Sequence, residues 1–222
     1  MDRAMQLYVN YFKYRKKFGH LLQDFHPHHV QDVIQLGLFG VLDKPLHNGS
    51  RAICVIPSRW DYENVHPNQP YKTFLLMLEK LAEDEEVQVH GLSIFDNMAG
   101  TSWHLAYAFV CSEQLQKGAL VELQDSFPIR FKGFHMLNQP WYLSMVMAII
   151  RPFLSQKHRD RIQAHGDNYE ALHEFVDPDI LPGDFGGNAP DLDSDNLRAF
   201  FAEEVSDGSV SSRTISIHSG RE

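Results

Sequence analysis

Two cysteines, Cys54 and Cys111, make up the whole thiol content of the chain. Set far apart, they form neither a disulfide framework nor a zinc-ligand spacing, which suits a reducing compartment. Long apolar runs are also lacking, since no stretch reaches the roughly 20 residues that a membrane-crossing helix needs. The N-terminal residues carry Asp2, Asn10 and several basic groups in place of the apolar core of a signal peptide. The cytoplasm is therefore the expected compartment. Positive charge is in short supply: 20 Lys and Arg stand against 29 Asp and Glu, a net charge of -9. Nucleic-acid binding needs a basic face that neutralises phosphates, so this balance argues against it. Any attraction to an anionic membrane has to be local. The sequence holds no G-x-S-x-G elbow and no P-loop.

What is present is an alternation of helix and strand patterns. Met5, Tyr8, Val9 and Phe12 recur at helical spacing and predict an amphipathic helix over residues 2–18. A helical piece over 28–38 and a turn over 43–50 follow. Strand patterns cover 51–57, 89–96 and 129–137, and helical patterns cover 71–83, 112–123 and 141–150. Strands alternating with helices imply crossover connections and a mainly parallel sheet, an α/β fold. Residues 188–222 are acidic and Ser-rich, and are expected to be a disordered tail apart from a short helix near 196–204.

Charge is unevenly placed along this chain. Residues 129–165 hold Arg130, Lys132, Arg151, Lys157, Arg159 and Arg161 against Asp160 alone, whereas 166–210 are strongly acidic. On a strand, Arg130 and Lys132 share a face. On a helix, Lys157 and Arg161 are one turn apart. Two such pairs suit a multiply charged anion, although charge runs are often no more than solvated faces.

Between these cations lies an uncharged helix, 141–150, bracketed by Pro140 and Pro152. Leu143, Val146, Met147, Ile150 and Leu154 form one apolar stripe, and Trp141, Met145 and Ile149 make the opposite side apolar too. A helix apolar all round is normally buried. The other reading gives it two apolar neighbours, a lipid pocket inside and a membrane surface outside. The triplet His26, His28 and His29 has no carboxylate or Cys to complete a metal site, and reads as a solvated turn. A lipid hydrolase would need a base beside Ser126 or Ser144, and the sequence offers none at hand.

Several residues then occur in a telling order: Phe127-Pro128, the basic strand, His135, Asn138, Pro140, Arg151-Pro152-Phe153-Leu154, Arg161-Ile162, His165-Gly166, Leu181-Pro182 and Gly186-Gly187. This run resembles the second half of a CRAL-TRIO lipid-binding domain, in its clavesin and α-tocopherol transfer branches, and the resemblance extends over about 11–187. It implies an open, mostly parallel sheet flooring an apolar pocket, closed by a lid helix at 140–154. The implied pocket residues are Leu123, Phe134, Leu143, Val146, Met147, Ile150 and Leu154. The implied phosphatidylinositol bisphosphate site is Arg130, Lys132, Lys157 and Arg161, with Arg15 on the N-terminal helix. By this resemblance the chain is a non-enzymatic, monomeric carrier of a hydrophobic lipid, with no cofactor or metal. It would work in the cytoplasm at endosomal or other phosphoinositide-rich membranes. The alternative is a membrane-trafficking adaptor with a vestigial pocket. The resemblance also implies three parts: 1–18 as the last helix of an N-terminal bundle, 19–187 as the lipid-binding domain, and 188–222 as the tail. The chain is then expected to be a fragment or short isoform.

Overall fold

The computed structural model describes residues 3–22, 25–112 and 126–206. Five strands form one sheet in the order β1-β2-β3-β4-β5: Phe39–Val41, Arg51–Val55, Leu92–Asn97, Phe131–Leu137 and Ile162–Ala164. β2 to β5 run parallel, and β1 adds antiparallel to β2. The mostly parallel α/β sheet expected from the alternation is the one observed. β1 escapes a pattern search because three residues are too short to show a period. It is an edge strand, and edges need cover.

Eight α-helices accompany the sheet among the described residues: α1 Arg3–Lys17, α2 Gln31–Gln35, α3 Asn68–Glu83, α4 Glu85–His90, α5 Trp103–Val110, α6 Leu143–Ile150, α7 Gln156–Arg159 and α8 Ser194–Ser206. Side-chain caps start several of them. Asp84 accepts from the Glu86 amide at 2.9 Å and Ser102 from the Leu105 amide at 3.1 Å, which satisfies donors that a helix start leaves open. The Asp84 cap also corrects the strand expected over 89–96. Its first two residues finish α4, and β3 begins only after Gly91. The helix expected over 112–123 lies outside the described residues, apart from Ser112.

α1 forms where its periodicity places it, but it packs through another face. Tyr14 and Phe18 are buried, and Tyr11 donates to Glu79 on α3 at 2.7 Å. Met5, Tyr8 and Phe12, the stripe that the spacing singles out, are exposed. The aromatic face wins because its hydroxyls find partners: the Tyr14 and Tyr71 hydroxyls meet, and Arg15 pairs with Glu79 at 3.1 Å.

The sheet divides two cores. One face carries α1, α2 and α3, with Ile53, Leu75, Leu78, Leu92 and Phe131 among its buried residues. The other carries Ala52, Cys54, Phe95 and Leu137 beneath Leu172, Val176, Leu181 and Phe185, from the irregular segment that follows β5. Gly187 makes that cover possible, since a Cβ there would lie 1.9 Å from the Leu181 carbonyl oxygen.

The acidic tail needs a correction. Residues 188–206 are part of the domain, and α8 covers the edge of β1. The Asn196 side chain accepts from the Val41 amide at 2.8 Å and donates to the Val41 carbonyl at 3.1 Å, standing in for a neighbouring strand. Leu197 and Phe201 are buried, and a Cβ on Gly40 would collide with Leu192 at 2.2 Å. Arg59 fastens the segment by donating to the Gly37 carbonyl at 3.0 Å and to Asp184 at 3.1 Å. Composition alone hides these anchors because three apolar contacts suffice among many acids. Residues 207–222 of the expected tail lie outside the described residues.

Candidate functional site: an apolar cavity beneath helix α6

A cavity of about 450 Å3 lies on the helical face of the sheet. Strand register builds its floor in two rows. Ile94, Phe134 and Ile162 stand side by side in the first; Val55, Asp96 and Met136 do so in the second. The segment leading into α3, and α3 itself, supply Trp60, Pro67, Tyr71 and Phe74, while α5 supplies Leu105, Ala106 and Phe109. Leu143, Val146, Met147 and Ile150 from α6, with Leu154 just beyond it, complete the wall. This is the spacing-derived stripe, together with Phe134. Leu123 lies outside the described residues.

The other side of α6 faces outward. Trp141 is 80% exposed, Met145 48% and Ile149 50%. The helix thus has apolar residues on the cavity and apolar residues in solvent, so the rule that such a helix is buried fails here. Backbone geometry aims it. Asn138 is the one non-glycine with positive φ among the described residues, at 51°, a conformation that Asn tolerates well. Its side chain donates to Asn97 at 2.8 Å and to the Tyr169 hydroxyl at 2.6 Å, locking the turn between β4 and α6. Tyr142 then ties the start of α6 to the Thr101 carbonyl and stacks edge-on with Trp103. Pro152 sits in the 3-10 turn that ends the helix.

The basic residues do not form one uniform patch. Lys132 and Lys157 are exposed. Arg130 is also exposed, but its guanidinium donates to the Gln88 carbonyl at 3.1 Å and to that of Val89, at the C-terminal end of α4. There it offsets the negative end of the helix dipole. Arg161 is half-buried and donates to the Phe131 carbonyl. Lys157 and Arg161 do not share a helix: α7 stops at Arg159, because the chain must straighten to enter β5. Arg15 is engaged in its ion pair with Glu79. His135 and His165 pair through their rings at 3.1 Å, on the far side of β4 beside Phe175. Burial, and then the neighbouring His165, lower the His135 pKa to about 4, so it is neutral and structural near pH 7. The triplet His26, His28 and His29 caps and forms a 3-10 turn, and no metal-holding cluster occurs among the described residues. Nor does any helix among them have the length and apolarity to cross a membrane.

Sequence reasoning overlooked Asp96. Its partly accessible surface belongs to the cavity wall, and burial there pushes its carboxyl up to about 7. Period two along β3 puts Ile94, Asp96 and Met98 on one face, which is the signal that reveals it. The consequence for stability has a definite sign. The unfolded chain releases this proton near pH 4 and the folded chain only near 7. Stability from this group is full below about pH 4, falls as the pH rises to 7 and stays lower above. Asp96→Asn is therefore expected to match the wild type at pH 4 and to exceed it at pH 8. At about 1.4 kcal/mol per pKa unit the gain is a few kcal/mol, or roughly 5–10 °C in Tm. Thermal unfolding at both pH values checks this.

Comparison with known proteins places this geometry. The CRAL/TRIO domain model matches residues 37–187. The chain is 35% identical over 193 residues to the human alpha-tocopherol transfer protein-like protein, covering 87% of this chain and 56% of that protein. It is 36% identical over 194 residues to clavesin-1 of Xenopus laevis, covering 86% and 57%. The chain thus spans a little over half the length of these relatives. Among solved structures, that of Sfh5 superposes with a TM-score of 0.61 at 13% identity, over 85% of this chain and 69% of that one, a likeness of fold alone. With the matched segment running from just before β1 to the Gly186-Gly187 turn, and so containing all five strands and α6, the chain belongs to the CRAL/TRIO domain family.

Proposed function

We propose that the chain is a non-enzymatic carrier that holds a hydrophobic ligand in the cavity under α6 and exchanges it at membranes. The observation that carries this reading is the double-sided α6, with Leu143, Val146, Met147 and Ile150 on the cavity and Trp141, Met145 and Ile149 in solvent. Burying a methylene is worth about 0.8 kcal/mol, so a ligand of ten or more leaves slowly into water. A carrier avoids that route by opening against a bilayer, where both faces of α6 meet apolar surroundings. A trafficking adaptor with a vestigial pocket has no need of an open cavity, and the 450 Å3 weighs against it. Native mass spectrometry of protein purified from cells, with lipid extraction, tests the reading. One apolar ligand per chain is the expected result, and an empty protein from lipid-replete cells overturns it.

The same reading assigns phosphatidylinositol bisphosphate recognition to the basic residues around α6 and β4, on the cytoplasmic side of membranes. Lys132 and Lys157 carry it furthest, since Arg130 and Arg161 already serve backbone carbonyls. Each lysine near an anionic surface is worth about 1 kcal/mol. Lys132→Ala with Lys157→Ala is expected to weaken binding to phosphatidylinositol bisphosphate vesicles about 30-fold. Binding to pure phosphatidylcholine vesicles should not change. Vesicle co-sedimentation measures both, and equal losses on the two membranes count against headgroup recognition.

A further inference from the structure

Among the described residues, six buried side-chain polar atoms have no hydrogen-bond partner, and Asp96 Oδ1 and Thr101 Oγ1 are two of them. Both residues line the same apolar cavity. Asp96 is in register with Val55 on one side and Met136 on the other, so nothing on the neighbouring strands is built to pair with it. The contrast with the next residue is informative. Asn97 points to the opposite face, donates to the Asp184 carbonyl at 2.6 Å and accepts from Asn138 at 2.8 Å. The strand end thus satisfies its polar group on the packed side and leaves one open on the cavity side. A buried carboxyl without a partner costs free energy, and a ligand that brings a donor recovers it.

We infer that the cavity takes an elongated apolar molecule ending in a hydroxyl, which donates to the Asp96 carboxyl, with Thr101 as a second polar group of the same wall. This rests on the carrier reading and adds the chemistry of the cargo's polar end. Asp96 lies near the carboxyl ends of the parallel strands, where open α/β sheets bind ligands. A fatty acid is disfavoured, because two carboxylates sharing an apolar site repel and one of them must take up a proton. An ammonium head would carry a full charge into a wall of almost wholly apolar side chains. A hydroxyl needs neither.

Isomeric probes isolate the donor. Dodecan-1-ol and 1-methoxyundecane have the same atoms, and the ether lacks the O–H. Each would compete with diphenylhexatriene for the full chain at pH 8, where the ionised carboxyl accepts and does not donate. The alcohol is expected to bind at least tenfold more tightly than the ether, and dodecanoic acid more weakly than the alcohol. Asp96→Leu should still take up diphenylhexatriene and bind both isomers alike. The wild-type ratio tests the inference without any variant. Equal binding of the isomers by the wild type, with diphenylhexatriene taken up, overturns the inference and leaves the carrier reading standing. So does a preference that survives in Asp96→Leu. Failure of the wild type to take up diphenylhexatriene removes both.

Discussion

Filling the cavity from its floor and from α6 at once, by Ile94→Trp with Met147→Trp, is expected to abolish ligand uptake while leaving the fold intact. Ile94 stands between Ile53 and Phe134 in the sheet, and Met147 is one helical turn from Leu143 on the inner side of α6. Both side chains border the 450 Å3 space. Overpacking a filled core costs about 1–3 kcal/mol, through off-rotamer side chains and shifted backbone. Here the new rings have open volume to enter, and the apolar surface that they cover offsets the strain. The ligand loses what the rings gain. Displacing about five methylenes removes about 4 kcal/mol of burial, close to a thousandfold in affinity. The measurement is native mass spectrometry beside thermal unfolding. Ligand occupancy should fall below a tenth of the wild-type value with Tm within a few degrees of it. Full occupancy in the double variant would mean that the ligand sits elsewhere and that this cavity is not the carrier's site.

The inner side of α6 was legible in the sequence because five apolar residues at helical spacing, Leu143 to Leu154, allow one face only. Its outer side was legible as apolar but not as exposed, since periodicity reports the chemistry of a face and not its neighbour. The strands β2 and β4 emerged for a similar reason, from runs dense in β-branched and aromatic residues. β1 and β5 did not, because three residues carry no period. The basic site was legible as a cluster of residue types. Its division of labour was not: that Arg130 caps α4 and Arg161 holds the Phe131 carbonyl depends on contacts between segments more than thirty residues apart in one case and thirty in the other. The tail shows the limit from the other direction. Its acidic composition reads as disorder, yet Leu192, Leu197 and Phe201 each find a place in a core, and Asn196 finds a strand edge that no local pattern announces. Asp96 was visible in principle. Its alternation with Ile94 and Met98 placed a carboxyl on an apolar face, a conflict between residue type and position of the kind expected at functional sites.

Removing the outward apolar residues of α6 together, by Trp141→Ser, Met145→Ser and Ile149→Ser, is expected to separate holding a ligand from delivering it. None of the three is buried, so the fold loses little. The Ser144 and Tyr142 contacts at the start of the helix are untouched. Leu143, Val146, Met147 and Ile150 still close the cavity, and ligand affinity in solution should stay within about twofold. At a bilayer the balance differs. Fully burying a large apolar side chain is worth about 1.5–3 kcal/mol. Taking roughly 1 kcal/mol for each half-exposed residue, the triple variant loses about 3 kcal/mol of interfacial binding, or a little over a hundredfold. Because the membrane can favour the open form only by binding it better than the closed one, transfer between vesicles should slow by a similar factor. Adding phosphatidylinositol bisphosphate to the acceptor vesicles should restore part of that rate, since Lys132 and Lys157 remain. A transfer assay with a fluorescent apolar cargo reads the rate and vesicle co-sedimentation reads the binding. If transfer keeps its wild-type rate while binding falls, release does not pass through contact of α6 with the bilayer. If both fall together, the exposed face of α6 is the part of this protein that meets the membrane.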